Sequence, residues 1–238
     1  MIVPSNDPVQ APPDPDAPDP PCVRLSLSEI NALCFRAARG AGLAWGEAEE
    51  AGWAASRLSQ AGLAGPALTL AWLGDLASLG RPAPAPDLWP ALSGPQCPVR
   101  CGIALTDFAG LPEGPGARAL TVERMAHPLL ALPFVAAAAM RTGLPLRVRW
   151  PDGDVTLDTG AWTLSHDLGR ATGGQASDVR IEPSGGAGPS PPVAGDPPPI
   201  RGITVTDKRA LDALALMITV PATARSRSGA GAAGGDND

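Results

Sequence analysis

One lysine, Lys208, stands among 18 basic residues, and the chain has two histidines and four cysteines in 238 residues. The formal net charge is −6. Neutralising a polyanion requires clustered cations, so this balance argues against a nucleic-acid partner. Met1 to Gln10 contains no cation and no apolar core of the kind an export signal has. The strongest apolar run, 129–140, is shorter than the roughly 20 residues that span a bilayer. It reads as a buried helix. A soluble cytoplasmic protein is therefore expected, with no membrane partner and with Cys22, Cys34, Cys97 and Cys101 kept as thiols.

Catalytic and cofactor motifs are equally sparse. No G-x-S-x-G elbow and no P-loop pattern occur. Ser165-His166-Asp167 holds the residue types of a hydrolase triad, but in a strand adjacent side chains point to opposite faces, so the run reads as a turn. Gly229 to Gly234 matches G-x-G-x-x-G literally, yet the sequence printed after it is too short to supply the helix of a dinucleotide site. Cys97 and Cys101 have metal-loop spacing without a second ligand pair, and His127 and His166 are isolated. No cofactor and no metal are expected, and the two cysteines read as partly buried thiols.

What is present divides into five stretches. Residues 1–24 are Pro/Asp-rich, with too little apolar content to offset ordering entropy, and read as a disordered leader. Residues 25–80 read as a helical lobe. Ser26 and Glu29 form an S-x-x-E capping box before an apolar stripe, Ile30, Leu33, Cys34, Ala37 and Ala38, which stops at Gly40-Ala-Gly42. A second helix runs from about Gly46 to Gly62, with Glu47, Glu49 and Glu50 in its first turns, where carboxylates suit the positive end of the helix dipole. Those acids read as a solvated face on which Glu47 and Glu50 could share a side. Pro66 opens a third helix that extends to Gly80.

Residues 81–98 are proline-rich and read as an extended connection, and 99–220 as an α+β lobe. Within it a helix is expected from about Thr121 to Leu132, kinked at Pro128 and Pro133 and resuming to Arg141. The period then changes to two. Leu146, Val148 and Trp150 alternate with Arg147 and Arg149, and Pro151-Asp-Gly153 turns the chain into Val155 and Leu157, which predicts a hairpin. Further strands are expected at Val179–Glu182 and Gly202–Thr206, a flexible loop at 183–199, and a last helix from Asp207 to about Met217. The fold class expected is α+β: an N-terminal helical lobe, then helix plus a small, mainly antiparallel sheet.

Residues 221–238 are glycine-rich, which suits a frayed terminus. The same stretch could hold a small molecule, with Arg227 and Ser226 on a carboxylate and Asp236, Asn237 and Asp238 on an amine or cation. Both readings stand. The segments Leu25–Ile30, Ala37–Gly42, Trp45-Gly46 and Ala48–Gly52, with the Ser226-Arg227 and Asp236–Asp238 ending, resemble a bacterial family of unknown function over Leu25 to Asp238. That resemblance implies that the ending belongs to the module, and it raises Ser226, Arg227, Asp236, Asn237 and Asp238 as binding candidates; Arg39 and Glu50 are binding candidates beside them. The chain departs from the family in carrying Thr219 and Ala224 where relatives have an aromatic and an acid. Leu25 to Gly65 also looks faintly like the opening of the malate/L-lactate dehydrogenase family, although Gly65-Pro-Ala-Leu68 replaces its Ser-His pair.

Three functions fit these features: a small-molecule-binding or accessory protein of a metabolic pathway, an enzyme acting on a small carboxylate-bearing metabolite with Arg227 as anchor and Asp236 or Glu50 as acid or base, and a subunit of a larger complex with a protein partner. Nothing in the sequence sets the oligomeric state.

Overall fold

The computed structural model describes residues 21–158, 162–164 (backbone), 175–184 and 202–218. Its elements, in chain order, begin with a short strand β1 (Cys22–Val23) and three helices, α1 (Leu27–Gly40), α2 (Trp45–Gln60) and α3 (Gly65–Asp75), the last followed by a 3-10 turn at Leu76–Ser78. Strand β2 (Leu88–Trp89), helix α4 (Pro98–Phe108) and strand β3 (Leu120–Met125) come next. A 3-10 turn at Pro128–Ala131 leads into α5 (Leu132–Thr142). The chain continues through β4 (Leu146–Trp150), β5 (Gly153–Leu157), β6 (Trp162–Leu164), β7 (Ser177–Pro183), β8 (Ile203–Thr204) and α6 (Val205–Leu216).

Among the described residues this is an α+β fold with a six-stranded sheet ordered β2-β3-β7-β4-β5-β6. Only β2 and β3 run parallel within it. A two-stranded ribbon joins β1 to β8.

The first three helices form for the reasons expected. Ser26 Oγ accepts the Glu29 amide and the Glu29 carboxylate accepts the Ser26 amide, a complete capping box. Pro66 lies in the first turn of α3, where its missing N–H leaves no intrahelical bond broken. Thr204 Oγ1 accepts the Asp207 amide and starts α6, which packs on α1. The approach there is close. A Cβ added to Gly40 would stand 1.7 Å from the Leu214 carbonyl oxygen, so the end of α1 can meet α6 only through a glycine.

Two expectations are corrected. The stretch from Leu120 to Met125 is a strand and not the start of a helix: Leu120, Val122 and Met125 are buried, and the backbone pairs antiparallel with β7. A bulge between Val122 and Met125 shifts the register, with Arg124 at φ 45° and Met125 pairing with Ser177, and helical structure begins only at Pro128. The connection after residue 80 is also more ordered than its prolines suggest. It contributes β2, and Gly80 and Met125 both bridge to Gln96. Pro98 is then the first residue of α4, a helix not expected there, with Cys97 and Cys101 wholly buried in its first turns.

In β4 the pattern is as expected, with Leu146, Val148 and Trp150 inward and the arginines outward. The inner face packs on α5. On the outer face Arg147 pairs with Asp154, and Arg149 and Arg180 share Glu182. One apolar cluster runs from Ile30 in α1 through α2–α5 and the sheet to Leu211 in α6.

Candidate functional site

Helices α2, α4 and α5 meet over an open cleft of about 380 Å³ lined by Glu49, Glu50, Trp53, Thr106, Asp107 and Phe134. Helical spacing explains the set. Glu49, Glu50 and Trp53 lie within four positions of one another on one face of α2, and Thr106 and Asp107 project from the third turn of α4. Trp53 and Phe134 make an edge-to-face pair with centroids 5.3 Å apart.

The walls are held by their own contacts. Thr106 Oγ1 lies 3.0 Å from the Gly102 carbonyl and 3.2 Å from the Phe134 carbonyl, which ties α4 to α5. At Gly102 an added Cβ would stand 2.3 Å from the Phe134 ring, so the absence of a side chain there lets the ring seat between the helices.

Charge in the cleft is of one sign among the described residues. Burial pushes the Glu50 carboxyl above its ordinary range, and the neighbouring charges of Glu49 and Asp107 push it further. Glu49 accepts the Trp45 indole N–H at 2.8 Å. Glu47 does not belong to this group, and its reading as a solvated acid beside Glu50 is corrected. It is four-fifths buried against Arg100, whose hydrogen bonds hold its carboxyl below the ordinary range.

Of the residues named from the sequence, Glu50 lines the cleft and Arg39 does not. The Arg39 guanidinium donates to the Leu43 carbonyl and lies 5.7 Å over the Trp45 ring, where it secures the turn between α1 and α2. Ser226, Arg227, Asp236, Asn237 and Asp238 lie outside the described residues, as do Ser165, His166 and Asp167.

Sequence reading missed Asp107, Trp53 and Phe134 as site residues. Spacing within α4 would have pointed to Asp107 had the segment after the prolines been read as a helix. It also missed that His127, taken as isolated, meets Asp75: Nε2 lies 2.8 Å from the carboxylate of a residue 52 positions earlier.

The three buried thiols offer no competing chemistry. Burial raises the thiols of Cys97 and Cys101, and that of Cys34 to about 12, so none is poised as a thiolate. Among the described residues no group of three potential ligands is placed to hold a metal ion, and no helix is long and apolar enough to cross a membrane.

No curated protein matches the chain, and the faint likeness to dehydrogenases is carried by no finding. Residues 25–73, which include α1, α2 and most of α3, match the family described as Protein of unknown function (DUF3726), so the helical opening of this chain is similar to a family to which no activity is assigned.

Proposed function

We propose that the protein binds a small organic cation in the cleft between α2, α4 and α5. One observation carries the reading: three carboxylates, Glu49, Glu50 and Asp107, rim a floor made by the Trp53–Phe134 pair. The cleft volume of about 380 Å³ falls within the roughly 300–1,000 Å³ usual for small-molecule sites.

Electrostatics and shape agree on the ligand's chemistry. The charges of Glu49 and Asp107 raise the proton affinity of Glu50, and a cation placed among the three relieves that repulsion. Aromatic faces attract ammonium groups through the ring quadrupole and accept the alkyl part of the same molecule. An anionic ligand would add to the repulsion already present.

Titration calorimetry with tetramethylammonium and butylammonium chloride, and with sodium butyrate as control, tests this. Saturable binding of the cations, weakened at least tenfold in Glu50→Gln/Asp107→Asn, is the expected result. Binding of butyrate in place of the cations, or cation binding indifferent to both substitutions, would show the reading to be wrong.

A further inference from the structure

A second, much smaller site is built around His127. Its side chain is 3% exposed and its backbone is left-handed, φ 45° and ψ 60°, a conformation that favours glycine and is held here by its surroundings. The neighbouring chain shows how. Gln96, itself buried, donates from Nε2 to the carbonyls of Trp89 and Glu123, donates its amide to the Arg124 carbonyl and accepts the Ala126 amide on its own carbonyl.

The two ring nitrogens have different circumstances. A carboxylate accepts, so the Nε2 facing Asp75 carries the proton. In the neutral ring Nδ1 is then an acceptor, and it is buried without a hydrogen-bond partner among the described residues. Asp75 is also the last residue of α3, where an acidic side chain opposes the helix dipole. Its placement serves the imidazole and not the helix.

His127 lines a cleft with Leu68, Leu129, Trp150, Asp152 and Gln175. Its accessible space, about 10 Å³, suits a single atom of water size. Among the described residues that line it, His127, Asp152 and Gln175 carry groups that can accept a hydrogen bond. No cationic side chain lines it among the described residues. A primary ammonium has three N–H donors and one positive charge, which matches that count and that sign. Trp150 supplies an aromatic wall and Leu68 and Leu129 an apolar one for the attached carbon.

We infer that this cleft is a binding site for a primary ammonium group, with His127 Nδ1 as the buried acceptor, Asp152 as the charge partner, and Asp75 as the positioning residue that fixes the imidazole tautomer. The site is separate from the larger cleft and rests on different residues. It also differs in selectivity: its ligand must carry N–H donors, whereas the larger cleft accepts a quaternary ammonium.

The test is nitrogen NMR on the full chain labelled at histidine. With two histidines in the sequence, a His166→Gln variant assigns the rings. Methylammonium chloride is titrated against tetramethylammonium chloride at equal ionic strength. The His127 Nδ1 resonance is expected to move saturably with methylammonium and not with tetramethylammonium, while Nε2 keeps its proton. Asp152→Asn, on an exposed turn, should weaken the response at least tenfold, and Glu50→Gln should leave it unchanged. A stationary Nδ1 resonance, equal responses to the two cations, or an unaltered response in Asp152→Asn would each overturn the inference.

Discussion

Arg100 of α4 grips Glu47 of α2 across 53 positions of sequence, with Nε donating to Oε1 at 2.8 Å and Nη2 to Oε2 at 3.3 Å. Both side chains are about four-fifths buried. The pair therefore fixes the angle at which α4 crosses α2, on which the larger cleft depends. Glu47→Gln should lower stability by about 2 kcal/mol, since a hydrogen bond to a charged group is lost and a largely buried guanidinium is left without its counter-charge. The folded-state carboxyl lies below its ordinary value, so this contribution is complete above the usual glutamate range and is lost as pH falls through the lowered value. Urea denaturation of both proteins should show a gap near pH ~7 that closes toward pH ~3.

Glu50 behaves in the opposite sense. Its carboxyl titrates above the ordinary range, so the folded state takes up its proton more readily than the unfolded chain and gains stability as pH falls through that value. Glu50→Gln should be neutral to stabilising near pH ~7, by up to about 0.5 kcal/mol, with the advantage vanishing in acid. Denaturation curves at the two pH values check this. A stabilising substitution that also abolishes cation binding would mark Glu50 as a group kept for its ligand.

Gly40 sets the distance between α1 and α6. Gly40→Ala gains helix propensity worth about 1 kcal/mol, but its methyl would stand 1.7 Å from the Leu214 carbonyl, and overpacking of this kind typically costs about 1–3 kcal/mol. The clash is with backbone, which cannot rotate away. Net destabilisation of up to about 2 kcal/mol is expected, together with faster hydrogen exchange in 205–216.

Gln96 should be the most sensitive polar position outside the clefts. Gln96→Met keeps the volume and leaves the Trp89 and Glu123 carbonyls without their shared donor. A loss of about 3 kcal/mol is expected in chemical denaturation. Because the same side chain secures the bulge that leads to His127, the His127 ring resonances should move as well.

Local rules made several elements legible. The capping box at Ser26, the proline in the first turn of α3, and the two-residue alternation of β4 and β5 each act within a few positions of sequence, so the structure agrees with them closely. Where reading failed, distant contacts had decided. Leu120–Met125 is short enough to suit either helix or strand, and pairing with β7, over 50 positions later, settles it. Proline at 95 and 98 suggested an unstructured link, but Pro98 occupies a first helical turn whose inner residues, Val99, Cys101 and Leu105, are buried by the neighbouring elements.

Functional residues divide the same way. Composition by itself determined an excess of acids, 24 against 18 basic residues, while the tertiary structure decided that three of those acids and, among the described residues, no cation line the cleft between α2, α4 and α5. Helical periodicity placed Glu49 and Glu50 in one turn of one helix. Which of Glu47 and Glu50 would be neutralised by an arginine, and that Asp75 would meet His127, followed only from the tertiary fold, because an ion pair or a hydrogen bond acts through distances of a few ångströms that pairs more than 50 positions apart reach only after their elements have packed.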